Sequence, residues 1–197
     1  MRLVRTRHAR AAPAPARASD AGQSLVEFAL VLMPLFLILL GIIQFGFIFN
    51  TYVTMTNAAR EGARAASVYV YQSGCSKTQN DALRSDAAER ALRGAMNMLT
   101  KASPQFAVTT ASPPSTSCAA RATWATSNGG LTFTNGDLVV TYANPSALTE
   151  TDARVGQQIT VRATYHQDLI IPLIAQLLPR DANGRLGMTT ESTMVLN

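Results

Sequence analysis

The sequence predicts an α+β fold, with a long N-terminal transmembrane helix, a second amphipathic helix and a mostly antiparallel extracytoplasmic sheet. Three observations carry that expectation. Residues 28–49 form an uncharged apolar run, small residues recur at helical spacing over 58–66, and the chain after Ser103-Pro104 becomes Thr-, Val- and Ser-rich with alternation. At 197 residues there is room for one core plus a membrane segment. The expected division is a cytoplasmic basic leader (1–22), a transmembrane helix (23–50) and an extracytoplasmic α+β domain (51–197).

The leader holds Arg2, Arg5, Arg7, Arg10 and Arg17 against one acid, Asp20. From Gln23 onward 12 basic residues face 11 acidic ones, so the net charge of +5 belongs almost wholly to the leader. A basic face interleaved with aromatics, the footprint of nucleic-acid binding, is absent after residue 22. No nucleic-acid partner is expected.

The apolar run FALVLMPLFLILLGIIQFGFIF has 22 residues. As a helix it spans about 33 Å, enough to cross a hydrocarbon core of about 30 Å. Pro34, Gly41 and Gly46 are tolerated in membrane helices. Arginines precede the run and no charge follows it until Arg60 and Glu61 cancel. The positive-inside rule therefore places the N-terminus in the cytoplasm and the domain outside. A cleaved secretory signal would have a shorter apolar core followed by small residues. Here AAPAPARASDAG comes first.

Glu27 stands at the mouth of this run, in GQSLVEFALVL. Drawing a carboxylate to the bilayer centre costs about 3 kcal/mol on insertion scales, so it either snorkels to the headgroups or has a partner. The spacing from Gly22 to Glu27-Phe28 resembles the processing signature of type IV-like prepilins and pseudopilins. VEFALVLMPLF, GIIQFG and TNAAREGARAA then follow, in order, the pattern of the TadE-like family of tight-adherence (Flp) pilus assembly. The resemblance covers residues 22–66. It implies cleavage after Gly22 by a prepilin peptidase, a new N-terminus at Gln23, and pairing of Glu27 with the new amine, a contact strengthened in low dielectric. It also implies other pilin-like subunits and the pilus assembly platform as partners. Two residues depart from the pattern. Met33 is extra before Pro34, and Gln44 stands where an acid is frequent, which removes a charge from that position.

The first helix is expected to continue through Tyr69. Ala58, Gly62 and Ala66 share one line, with Ala59 and Ala63 on the next. Small residues let another helix approach closely. The face therefore serves either another subunit or this chain's own second helix or sheet. Ser73-Gly74 breaks the pattern, and Asn80 reads as the N-cap of a helix over 81–100. Its stripe is Leu83, Ala87, Ala91 and Ala95, with Met98 and Leu99 near its end, and Arg84, Arg90 and Arg93 form a solvated face. Strands are expected at 106–110, 138–142, 159–165 and 188–196. In the third, Ile159, Val161, Ala163 and Tyr165 face one way and Thr160, Arg162 and Thr164 the other. Asn128-Gly129-Gly130 and Asn135-Gly136 read as turns. LIIPLIAQLL (169–178) is too short to span a bilayer. It is read as a buried connection, the alternative being an apolar patch beside the membrane.

Cys75 and Cys118 are the only cysteines, both on the expected outer side. The reading is a single disulfide between the inter-helix loop and the loop opening the sheet, with two unpaired thiols as the alternative. No GxSxG, Walker or GxGxxG loop occurs. With His8 in the leader, His166 is the one histidine outside it, and beside Asp168 it reads as a surface pair. No catalytic residue, metal, cofactor or small-molecule substrate is expected, and the chain is not read as an enzyme. The expected function is a minor pilin-like subunit or assembly factor in the cytoplasmic (inner) membrane or the pilus. The rival is an uncleaved membrane-anchored module that presents residues 103–197 to an extracellular ligand.

Overall fold

The apolar run and the small-residue run lie in one helix. The computed structural model describes residues 18–109 and 118–197. Residues 1–17 of the leader and Thr110, the last residue of the first expected strand, lie outside them. Helix α1 is Ala18–Ser67, 50 residues with Pro34 inside it. Helix α2 is Lys77–Ala95. The strands are β1 (Ala125–Ser127), β2 (Thr132–Asn135), β3 (Leu138–Tyr142), β4 (Gln158–Gln167) and β5 (Leu186–Val195), with a short helix α3 (Pro172–Ala175) between the last two. The chain divides into two units, one ending at Leu40 and the other Gly41–Asn197.

Within the first unit, every side chain from Gly22 to Leu39 is exposed. The helix has no apolar partner there, and it is long and apolar enough to cross a membrane.

The second unit is an antiparallel five-stranded meander in the order β1-β2-β3-β4-β5. One face of the sheet packs against the helices. Met55, Ala58, Ala63 and Ala66 of α1 and Ala88, Leu92 and Met96 of the α2 region meet Val140, Ile159 and Val161 in one core. The expected alternation of β4 is observed, with Ile159, Val161, Ala163 and Tyr165 all buried. Its other face is polar and matched across the ladder. Thr160 pairs with Thr193 (2.7 Å), Thr164 with Thr189 (3.0 Å), and Arg162 donates to Glu191 (2.9 Å).

Several expectations are corrected. The N-cap of α2 is Ser76, not Asn80, and Gln79 completes a capping box with it. Asn80 instead holds the preceding loop, accepting from Gln72 N (2.7 Å) and donating to Ser76 O (3.1 Å). The helix stops at Ala95 rather than residue 100 because Asn97 turns to a positive φ of 51°, and Met98 is left exposed. Residues 106–109 form no strand. The Asp137 carboxylate accepts from Ala107 N (2.7 Å), and the Asn135 amide exchanges two hydrogen bonds with Thr109. The three-residue β1 and four-residue β2 were not expected, although the turns that bound them were.

Candidate functional site

The residues singled out near the N-terminus lie on one exposed stretch of α1. Gly22 has nothing within 4 Å of where a side chain would project. The side chain of Gln23 donates to Glu27 Oε1 at 3.3 Å, one helical turn on. In the intact chain Glu27 thus already has a neighbour from residue 23, although a side-chain amide and not an N-terminal amine.

Ala58, Ala59, Gly62, Ala63 and Ala66 are all buried inside the second unit. A Cβ at Gly62 would stand 3.1 Å from the Ala88 carbonyl oxygen, 3.3 Å from Leu92 and 3.4 Å from Val161. Of the two occupants left open for this face, the chain's own α2 and sheet are the ones observed.

Gln44 is the one buried side chain among residues 22–49. Its Oε1 accepts from the backbone amides of Ile170 (2.9 Å) and Ile171 (3.3 Å), while its Nε2 is buried without a hydrogen-bond partner. A position noted only for its missing charge thus clasps the apolar segment 169–178. That segment is not a buried connection. Ile174 and Ala175 are covered, but Ile170 is 64%, Leu173 53% and Leu177 82% exposed.

Helix α2 has a polar buried face, and of the three arginines expected on its solvated face Arg90 is exposed and Arg93 partly so, whereas Arg84 is buried. Asp81, Arg84, Ser85, Ala88 and Leu92 all face inward. The Asp81 carboxylate accepts from the hydroxyls of Tyr71 and Tyr142 and from Arg154 Nε (3.1 Å), and it lies 3.5 Å from Arg84 Nη1. Burial, reinforced by this carboxylate, pushes Tyr71 up to about 12 and Tyr142 higher still. For Arg154 burial acts to lower the pKa, but the charge and hydrogen bond of Asp81, together with Tyr71 and Tyr142, outweigh it and raise the group above its ordinary value. One turn on, Asp86 accepts from Ala122 N (3.0 Å) and Trp124 Nε1 (2.9 Å) and so ties the loop before β1 to the helix. Glu89 is raised by burial. The signal for this cluster was Asp81, Arg84 and Ser85 in line with Ala88 and Leu92, which no composition argument separates from a surface stripe.

Cys75 and Cys118 are joined by a disulfide. His166 does not pair with Asp168. Its Nδ1 lies 2.8 Å from Asp181 and its Nε2 3.3 Å from Asp137, while Asp168 accepts from Arg185 Nε (2.7 Å) and Gln105 Nε2 (3.0 Å). Among the described residues no group of three or more His, Cys, Asp or Glu is placed to hold a metal ion.

An uncovered apolar helix that continues into an α+β domain fits a single-pass membrane protein. Residues 22–64 match the model of the family described as TadE-like protein, the family whose pattern those residues resemble. No curated protein and no solved structure matches the chain.

Proposed function

We propose that this chain is a minor pilin-like subunit or assembly factor of a tight-adherence pilus, cut after Gly22 by a prepilin peptidase. The TadE-like match over residues 22–64 carries the association with such a pilus. The finer reading is supported by the geometry at the start of α1. Gly22 is exposed with no side chain to obstruct a peptidase, and the Glu27 carboxylate, one turn on, already accepts from the side chain of residue 23, the residue whose amine cleavage would free. The N-terminal side is cytoplasmic and the folded domain extracytoplasmic. The domain acts by assembly and not by catalysis. Its partners are the peptidase, other pilin-like subunits and the assembly platform.

The test is N-terminal sequencing of the protein isolated from membranes, with and without the host's prepilin peptidase. A start at Gln23 that requires the peptidase is expected. An intact N-terminus in both strains would overturn processing and leave an uncleaved anchor presenting its domain to a ligand.

A further inference from the structure

Residues 169–178 leave three large aliphatic side chains in the open, an arrangement that is unfavourable in water. Their position explains what they face. The segment packs on the outer end of the apolar run, where Ile174 Cδ1 comes within 3.6 Å of a Cβ position at Gly41 and Gln44 receives the two amides. Gln44 lies five residues and Gly41 eight residues inside Phe49, the end of that run. At 1.5 Å per residue they sit about 7 and 12 Å along the helix from its outer end.

On the reading of α1 as a membrane span, we infer that residues 169–178 are embedded in the leaflet on the domain side, with Ile170, Leu173 and Leu177 against lipid acyl chains. Non-helical backbone at that depth must have its polar groups satisfied. Gln44 takes the Ile170 and Ile171 amides, Ala175 N donates to Ile171 O (3.0 Å), and Leu177 N to Ile174 O (3.0 Å). The charges stop at the segment's ends. Asp168 is paired with Arg185 before it, and exposed Arg180 follows it at headgroup level. At the same level of α1, flanking Gly41 and Gln44, Ile42 and Phe45 are exposed as well. The protein would then be held by a spanning helix and a second, monotopic contact that fixes how the domain meets the bilayer.

The test uses the full chain in phosphatidylcholine vesicles, its native disulfide intact, with Leu177→Cys carrying an environment-sensitive fluorophore. Leu37→Cys reports the span and Val155→Cys a distant exposed site. Spin-labelled lipids, with the label high on the acyl chain, are expected to remove about half the Leu177 signal and little of the Val155 signal, as for a group at the headgroup–acyl boundary. Gln44→Leu is expected to reduce the Leu177 quenching at least about twofold, because it strands two amides, and to leave Leu37 unchanged. Quenching at Leu37 without quenching at Leu177 would overturn the inference and leave the anchor intact. Loss of quenching at both would overturn the membrane reading itself. A Leu177 label shielded from lipid and from aqueous iodide alike would assign the patch to a protein neighbour and overturn the lipid assignment.

Discussion

Asp81 is fully buried, with Tyr71, Tyr142 and Arg154 donating to it and Arg84 beside it. A buried ion cluster is not in itself strong stabilisation, because desolvation offsets much of the Coulomb gain, but removing one member leaves the others charged and unpaired. Asp81→Asn keeps the shape and deletes the charge that two guanidinium groups share. We expect it to lower unfolding stability by about 3–5 kcal/mol in urea titration of the detergent-solubilised chain. A loss no larger than that of an exposed change such as Arg90→Gln would show that the cluster is dispensable. The residue types were visible in the sequence, but their inward direction was not. A face of Asp, Arg and Ser counts as solvent-facing until the partners that satisfy it, Tyr142 and Arg154, arrive from 61 and 73 residues away.

At the scale of elements, α1 changes environment along its length without breaking. Its N-terminal part has no apolar neighbour and its C-terminal part is core, and the change is written in side-chain size. Phe, Leu and Ile dominate 28–49, whereas Ala and Gly dominate 58–66, where α2 and β4 come close. Gly62→Val would drive two methyls toward the Ala88 carbonyl, which cannot retreat without bending α2. The expected cost is about 1–3 kcal/mol. Gly46→Val, at a position with nothing within 4 Å, should leave the domain's unfolding midpoint unchanged. Equal effects of the two would mean that the small-residue line is not a packing requirement. The elements read best from sequence were those with a uniform pattern. Strand β3 was expected at its observed limits and β4 by its alternation, whereas the start of α2 lies four residues before the expected one, because Ser76 and not Asn80 is the cap. The capping box at Ser76-Gln79 settles the choice, and Asn80 is engaged by the loop.

For the whole molecule, the disulfide is the covalent tie between the two ends of a loop that includes all of α2. Cys75 and Cys118 are 43 residues apart in sequence. In the chain-entropy account, closing such a loop stabilises by about 4 kcal/mol, mostly by restricting the unfolded chain. Reduction, or the double change Cys75→Ser with Cys118→Ser, should therefore lower the thermal midpoint while α2 keeps its docking through Asp81 and Asp86. An unchanged midpoint would mean that the unfolded chain is already compact over this stretch.

By itself the sequence determined the membrane-length helix, its TadE-like pattern, the α+β order of elements and the cysteine pair. These rest on local properties, namely apolar run length, periodicity and spacing. Only the tertiary structure decided that the small-residue face of α1 is used by this chain's own core, that Asp81, Arg84, Asp86 and Glu89 of α2 point inward, and that His166 sits between Asp137 and Asp181 and not beside Asp168. It alone also brought the apolar segment 169–178 onto Gln44. The physical reason is the same in each case. A polar or apolar side chain takes its environment from partners remote in sequence, and neither composition nor periodicity carries their identity.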